Sequence, residues 1–447
     1  MNYEKIKATV AEECKRLSLS EYEIYYKEGS DTSVETLNRE VSAFSSSDFR
    51  GICLRVASGG KIGYASTELF EEAELKALVF RAAENAKAVE KEDVSGIYKG
   101  AKEYEKRESA HFSELDAGKI KKTAIDLANR AYKISDKVTE GTESSVGSSS
   151  FTVRISNSEG LDLENTAGIN YVNISAVVAD RGERESGYEL ALYNDDTDLD
   201  ALAEKAIKTA EDKIGAVGVK SGKYNIVIDP RRMRQLLSAF ISVFSAKSAQ
   251  SGLSLLKGKE GERVASEIVT ITDDPQREGV AVTTPFDAEG VPTYRKNVIE
   301  KGILKTLLYN RETAAKAGRE STGNGGKSGY SSPVITTPYA FCIEAGDKTA
   351  DELLCMAGDG LLITTLNGLH AGTNASTGDF SLESAGFVIR DGKVCESAKS
   401  FTVAGNFFEL LKSITALSNE VEVGVSGSYT TFGSPYVLIP DMSVAGS

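Results

Sequence analysis

The spacing of the hydrophobic residues changes near residue 220, and this change limits the folds that are open to the chain. Before it, helix-like periodicity, as at about residues 67–89, alternates with strand-like segments. After it, a strand at Tyr224–Ile228 and a helix at about residues 230–247 are followed mainly by strand and turn patterns. Because 447 residues exceed what one hydrophobic core usually supports, we predict two domains, residues 1–220 and 221–447. The predicted class is α+β, an N-terminal helix-and-sheet domain followed by a β-rich C-terminal domain.

Individual elements can be placed within this plan. Short alternating runs predict separate strands at Tyr22–Tyr26, Ser33–Leu37 and Ile52–Val56. Asp273-Asp274 before a proline is interpreted as turn chemistry. The helix at about residues 230–247 has an apolar stripe that predicts a core or interface position: Met233, Leu236, Leu237, Phe240, Ile241 and Phe244.

The charge and the cysteine pattern exclude several classes of protein. The formal net charge of −14 at pH 7 disfavours direct nucleic-acid binding, and we interpret Arg231, Arg232 and Arg234 as a solvated face. The charged first residues predict no signal peptide, and no apolar run reaches the roughly 18 residues that a membrane helix needs. The five scattered cysteines, without a CxxC pair, favour a reducing compartment and predict a cytoplasmic protein.

Several motifs in the C-terminal half occur together and in order. The longest runs from Asn367-Gly-Leu-His370 through Asn374 to Asp379-Phe-Ser381. Shorter ones are Asp287-x-Glu-Gly290-Val-Pro292, Glu300-Lys-Gly302-Ile-Leu304, Thr322-Gly-Asn324-Gly325, Thr402-Val-Ala-Gly405-Asn406 and Ser443-Val-Ala-Gly446. Over about residues 220–447 the chain resembles the TldD/PmbA family, historically described as modulators of DNA gyrase.

The resemblance implies a two-subunit peptidase that matures peptides or degrades small unfolded proteins. In it the TldD-type subunit carries zinc on an HExxxH helix with a distant cysteine as third ligand, and the TldE-type (PmbA) subunit is its partner. Here the metal helix aligns with residues after Asp229-Pro230, and residues 231–259 contain no His, Asp, Glu or Cys. The distant cysteine aligns within Ser426–Thr431, which has no thiol. Zinc needs imidazole, thiolate or carboxylate donors, so the metal-helix positions are degenerate: Ser238, Ala239, Ser242 and Val243.

Only two histidines occur, His111 and His370, so an HExxH pair is impossible. His111 is interpreted as a solvated residue before a helix. His370 with Asn374 and Asp379 predicts a hydrogen-bonded local turn rather than a hydrolase triad, because no GxSxG elbow is present. The family places the Thr-Gly-Asn-Gly loop near its cleft. An open loop with unpaired amides is therefore predicted to contribute three peptide-groove residues, Thr322, Asn324 and Gly325. His370, outside this loop, is also predicted to be a groove residue.

The sequence thus favours a TldE/PmbA-like subunit with no cofactor of its own, paired with a TldD-like chain that holds the zinc. A peptide or an unfolded protein is the expected substrate. No direct nucleic-acid or membrane partner is predicted, and a homodimer of the isolated chain stays open. Two alternatives also stay open: a peptidase acting alone through an unrecognised site, and a non-enzymatic binding protein that modulates gyrase or a toxin–antitoxin pair. Whether this chain is itself an enzyme is therefore left undecided.

Overall fold

The computed structural model describes residues 1–90, 95–105, 112–426 and 430–446, so the prediction for His111 lies outside the described residues. Up to residue 211, helices alternate with long strands. In chain order the elements are α1 (Tyr3–Arg16), β1 (Glu21–Leu37), β2 (Glu40–Ser58), β3 (Lys61–Thr67), α2 (Glu72–Ala88), α3 (Ala117–Ile134), β4 (Glu143–Asn157), β5 (Asp162–Asp180), β6 (Glu183–Leu192) and α4 (Leu199–Glu211).

After residue 221, short strands dominate. They are β7 (Gly222–Ile228), β8 (Ile271–Asp273), β9 (Lys296–Glu300), β10 (Ile303–Leu304), β11 (Gly325–Gly326), β12 (Ile335–Thr336), β13 (Ala340–Ile343), β14 (Gly360–Asn367), β15 (Asp379–Arg390), β16 (Lys393–Asn406), β17 (Ala416–Leu417), β18 (Glu422–Val423), β19 (Thr431–Ser434) and β20 (Val437–Ala445). The helices are α5 (Pro230–Ala239), α6 (Ala246–Gln250), α7 (Arg311–Lys316), α8 (Ala350–Ala357), α9 (Leu369–Gly372) and α10 (Phe407–Ser413). The α+β class is confirmed, whereas the boundary at residue 220 stays a prediction. None of the described helices is long and apolar enough to cross a membrane.

The first sheet separates a helical layer from the C-terminal half. Its described strands are antiparallel in the order β3-β2-β1-β4-β5-β6. Side chains alternate along β1, so Ile24 and Tyr26 pack with α1 and α2 on one face. Tyr25 points to the other face and joins a cluster with Phe151 and with Phe286 of the C-terminal half. The two halves are therefore joined by apolar contacts over part of this sheet.

The C-terminal half contains two larger sheets around one core. One has the order β10-β9-β8-β13-β19-β18. The other has the order β16-β15-β14-β7-β20-β17, and an additional pairing between β16 and β20 closes it on itself. The helix α5 packs into the core between them, which contains Met233, Leu236 and Leu237. This packing confirms the apolar stripe predicted for the helix.

Candidate functional site

A cleft of about 970 Å³ lies between the first sheet and the C-terminal half. One wall is formed by β6 and the end of α4. The other is formed by α5, β14, β15, β16 and residues near β18 and β19. Hydroxyl groups are frequent along it, on Ser186, Ser238, Thr364, Ser384, Ser400 and Thr430.

The start of α5 is fixed beside this cleft by local chemistry. Asp229 caps the helix, because its Oδ1 accepts the Arg232 N–H at 2.6 Å, and Pro230 takes the first helical position, where no N–H is needed. The next turn points Arg231, Arg232 and Arg234 along the cleft. These arginines are half-buried, so their interpretation as a solvated face was wrong.

Ion pairs connect the two walls. Arg231 Nη2 of α5 lies 2.7 Å from Glu189 Oε2 of β6. Lys399 Nζ of β16 lies 2.9 Å from Glu183 and 3.1 Å from Glu185, both on β6. Charged contacts, as well as the apolar cluster described above, therefore join the two halves of the chain.

Two further cations in the cleft have no such partner. Arg232 donates from Nε to the Thr364 carbonyl at 2.6 Å, and Lys213 donates from Nζ to the Ser186 carbonyl at 2.5 Å. No carboxylate of the described residues forms a salt bridge with either side chain at 4 Å or less. Burial lowers the pKa of both groups, while the nearby Asp229 carboxylate acts in the opposite direction on Arg232. The cleft thus holds positive charge that contacts backbone carbonyls.

The degenerate metal-helix positions lie at a break in the helix. α5 ends at Ala239, Phe240 is its cap, and a 3-10 turn follows, so the continuous helix predicted at about residues 230–247 was wrong. Ser238 is exposed and lines the cleft, and Ser242 is exposed beyond the break. Ala239 is half-buried and Val243 is fully buried in the core. The structure therefore presents two hydroxyl groups and two apolar side chains, and no metal donors, at these four positions.

A zinc ion does not fit the residues present here. Across the described ranges, no three His, Cys, Asp or Glu side chains come together in a way that could hold a metal ion. The cleft carboxylates Glu189 and Glu422 are already paired with Arg231 and Arg234, at 2.7 and 2.8 Å. Ser238 offers a neutral hydroxyl, which is a poor zinc ligand. The described side chains of this cleft therefore offer no set of metal ligands.

The structure places the predicted groove residues of the Thr-Gly-Asn-Gly loop inside the protein. Asn324 is fully buried and donates from Nδ2 to Asp273 Oδ2 at 2.7 Å, while its Oδ1 accepts from Thr322 Oγ1 at 2.7 Å. The Gly325 N–H donates to Asp287 Oδ2 at 2.8 Å. The expectation of an open loop with unpaired amides was therefore wrong for Gly325. The role of these residues in a peptide groove stays a prediction, and none of them lines the cleft.

His370 lies apart from that network. It is exposed on the short helix α9 and does not line the cleft. The turn predicted after it is confirmed: Asn374 Oδ1 accepts from Ser376 N–H at 3.0 Å, and the Asn374 N–H donates to the Asp379 carbonyl at 2.8 Å. The polar residues after His370 therefore satisfy the local backbone, and the groove role of His370 also stays a prediction.

Comparison with known protein families identifies the family of this chain. Residues 221–446 match the PmbA/TldA metallopeptidase C-terminal domain, residues 22–86 match domain 1 of the same family, and residues 111–214 match its central domain. The C-terminal match alone covers half of the chain. The chain belongs to the PmbA/TldD metallopeptidase family.

Known proteins of other organisms are similar in sequence to this chain over most of its length. An uncharacterised protein of Methanocaldococcus jannaschii is 28% identical over 407 residues, which cover 90% of this chain and 92% of the relative. The metalloprotease PmbA of Escherichia coli O157:H7 is 26% identical over 331 residues, covering 72% and 70%.

Solved structures show the same fold. A Thermotoga maritima protein named for a proposed role as a modulator of a DNA gyrase superposes with a TM-score of 0.90 at 29% identity, covering 99% of this chain and 100% of the other. TldE of Thermococcus kodakarensis superposes with a TM-score of 0.88 at 23% identity, covering 98% and 100%. At that identity the second likeness shows the fold alone.

The family motif Asp287-x-Glu289 holds two buried carboxyl groups whose burial sequence reasoning missed. Asp287 accepts hydrogen bonds from the N–H groups of Glu289, Val291 and Gly325 at 2.8–2.9 Å. Burial, followed by the charge of Glu289, raises the pKa of Asp287 to about 8, although these backbone donors lower it. Burial also raises the pKa of Glu289, while Arg55 opposes the rise. A Cβ atom on Gly325 would lie 2.9 Å from Glu289 Oε2 and 3.0 Å from Asp287 Oδ2, so a larger residue there would displace these carboxyl groups.

This carboxyl pair predicts a pH-dependent stability. The ordinary pKa of an aspartic acid is 3.8 and that of folded Asp287 is about 8, so between about pH 4 and pH 8 the folded state binds more protons than the unfolded state. The free energy of unfolding is therefore expected to fall as pH rises through this window, by at most about 1.4 kcal/mol per pH unit from this group. Urea denaturation at pH 5, 6.5 and 8 measures the slope. Asp287→Asn should flatten it, and an equal slope in the variant would contradict the assignment.

Proposed function

We infer that this chain is the metal-free subunit of a two-protein peptidase and that its zinc is held by a TldD-like partner chain. The observation that supports this most is at α5. The position that faces the cleft carries Ser238, and Ser242 follows the break in the helix, although the surrounding fold of a metallopeptidase family is retained. A chain that keeps the scaffold and lacks the metal donors suits a partner that shapes the site.

The cleft of this chain suits an extended peptide in that role. Its hydroxyl-rich walls offer hydrogen-bonding groups along a length of backbone, and Lys213 and Arg232 supply positive charge for an anionic group of the ligand. Zinc bound in the partner would supply a polarised carbonyl and an activated water. The residues of this chain would position the peptide and keep it extended. The proposed substrates are peptides or small unfolded proteins in the cytoplasm.

Reconstitution from separate chains tests this function. We expect the purified chain to contain far less than one zinc per molecule by elemental analysis and to leave an unfolded peptide uncut. Mixed with a TldD-like chain it should give cleavage that a chelator abolishes. Substitution of the partner's metal-helix histidines should also abolish cleavage, whereas Lys213→Ala with Arg232→Gln in this chain should raise KM about tenfold with a smaller change in kcat.

The controls assign the chemistry to one chain. Leu253→Lys is a suitable matched variant, because Leu253 is an exposed side chain outside the cleft. Chelator-sensitive cleavage by this chain alone would overturn the proposal in favour of an autonomous peptidase. Co-purification with a gyrase subunit and failure to associate with any TldD-like chain would instead favour the binding-protein alternative.

A further inference from the structure

Lys213 and Arg232 approach each other from opposite walls of the cleft. Lys213 follows α4 in the N-terminal half, whereas Arg232 belongs to α5 in the C-terminal half. Burial is the main cause of the lowered pKa of Lys213; Glu185 opposes this effect, and the charge of Arg232 lowers the pKa further. The two cations are therefore close enough to repel each other. An anion that contacts both would relieve this repulsion.

Both side chains keep hydrogen-bond donors that no internal contact uses. The Lys213 ammonium has three N–H donors, and one of them binds the Ser186 carbonyl. Arg232 uses Nε for the Thr364 carbonyl and Nη1 for the Gln235 side chain at 3.0 Å. Its Nη2 forms no hydrogen bond with any residue that the structure describes. A ligand can thus accept from Lys213 Nζ and Arg232 Nη2 without breaking an existing contact.

The other charges of the cleft favour negative charge at this one place. Three cleft carboxylates already form ion pairs, Glu185, Glu189 and Glu422. Glu383 of β15 also lines the cleft, is exposed, and forms no ion pair with the described residues. It lies opposite Asn367 of β14, three residues beyond Thr364, which is about 10 Å along the strand. An acidic side chain at that distance from Arg232 would therefore be repelled.

We propose that Lys213 and Arg232 bind the C-terminal carboxylate of the peptide substrate, with one oxygen towards each wall. The two oxygens of a carboxylate match two cationic donors, and such charge-assisted hydrogen bonds are stronger than neutral ones. Capture of a C-terminal carboxylate is a recurring mode of peptide recognition. The peptide then runs from this pair along β14 towards Glu383, past Thr364, Thr365 and Asn367, which line the cleft.

This inference rests on the proposed function, because it requires a peptide in the cleft, and it adds a rule for substrate choice. Peptides and unfolded chains with a free C-terminus should bind, whereas amidated or cyclic peptides should bind weakly. A binding assay on this chain alone keeps the two proposals separate. Loss of the free-acid preference with intact reconstituted cleavage would contradict only this inference. The opposite result would contradict only the proposed function.

The experiment measures fluorescence anisotropy of a short, unstructured peptide that is labelled at its N-terminus and has no charged side chains. We expect the free acid to bind the full chain about tenfold more tightly than the C-terminal amide. The amide with one internal glutamate should bind no better than the plain amide. Lys213→Gln and Arg232→Gln should each reduce the preference for the acid to less than about threefold, and Lys213→Arg should retain most of it.

Matched controls exclude a general effect of charge. Lys205→Gln removes the same charge from an exposed position of α4 outside the cleft and should keep the preference unchanged. Thermal unfolding shows whether each variant is folded, and the two cleft variants lie on different walls, so one remains informative if the other unfolds. Equal affinities of acid and amide, including no binding of either, would overturn the proposal. Tight binding of the glutamate-containing amide would assign the site to acidic side chains and would also overturn it.

Discussion

Replacement of Asp273 with alanine is expected to lower the free energy of unfolding by about 3–5 kcal/mol. Asp273 is fully buried, and its Oδ2 lies 3.2 Å from Nζ of Lys296, which is itself buried. The same carboxylate accepts from Asn324 Nδ2 at 2.7 Å and from the Tyr339 N–H at 2.7 Å. Alanine would leave an ammonium group and two donors buried without their acceptor. The strands β8, β9 and β13 that these groups join would lose their shared contact.

Urea denaturation followed by circular dichroism measures this effect, with the adjacent residue as a control. Asp274 accepts a local hydrogen bond from the Gln276 N–H at 3.1 Å, and its nearest cation, Arg295, lies 3.7 Å away and is exposed. Asp274→Ala should therefore cost less than about 1 kcal/mol. Equal losses in Asp273→Ala and Asp274→Ala would show that the buried ion pair contributes little.

Replacement of Arg55 with methionine is expected to cost a similar amount, about 3–5 kcal/mol, and the cost should increase with pH. Arg55 Nη1 lies 2.9 Å from Glu23 Oε1, and both side chains are almost fully buried. Its charge also acts on buried Glu289. Without the guanidinium, the buried Glu23 carboxyl group would lose its partner, and nothing from Arg55 would oppose the rise in the pKa of Glu289. Because ionisation of Glu289 would then cost more at high pH, the loss should be smaller at pH 5 than at pH 8.

A double replacement distinguishes the contribution of the ion pair from the cost of leaving Glu23 buried without its partner. Glu23 Oε2 and Arg55 Nε have no hydrogen-bond partner in the described structure, so the pair is incompletely satisfied. Glu23→Met combined with Arg55→Met should therefore recover most of the stability lost in Arg55→Met alone. The comparison is made at pH 5 and pH 8 by the same denaturation assay. A double variant as unstable as the single one would show that Arg55 acts through packing rather than charge.

Local sequence signals predicted the elements that depend on neighbouring residues. The apolar stripe of α5 is confirmed, because i, i+3 and i+4 spacing acts within a few turns. The cap formed by Asp229 with Pro230 agrees with the predicted start of this helix. The hydrogen-bonded turn after His370 is also confirmed, since Asn and Asp side chains satisfy backbone groups nearby.

Features that depend on distant partners were not predictable. The separate strands at Tyr22–Tyr26 and Ser33–Leu37 form one strand, β1, because pairing with β2 and β4 extends it through the polar residues between them. No glycine or proline marks the helix break at Phe240. The ring of Phe240 stacks on the ring of Phe407 with 4.5 Å between their centroids, and these two residues are far apart in the sequence.

The same limit applies to buried charge. Asp273 and Asp274 were both interpreted as turn residues, and this is confirmed for Asp274 and wrong for Asp273, which pairs with Lys296. Nothing in the local pattern distinguishes them. The cleft residues Lys213 and Arg232 come from the two halves of the chain and meet only after both have folded. By contrast, the lack of His, Asp, Glu and Cys over residues 231–259 can be read directly from the sequence.

The closed sheet of the C-terminal half places a constraint on the order in which that half can form. β7 pairs with β14 and β20, and β20 also pairs with β16. β20 follows β7 by more than 200 residues of intervening sequence. During synthesis β7 therefore lacks its neighbour β20 until the end of the chain has left the ribosome. All strands of the first sheet, in contrast, have been synthesised by residue 192, so this sheet can form earlier. Closure of this sheet is thus one of the last steps in the folding of the newly synthesised chain.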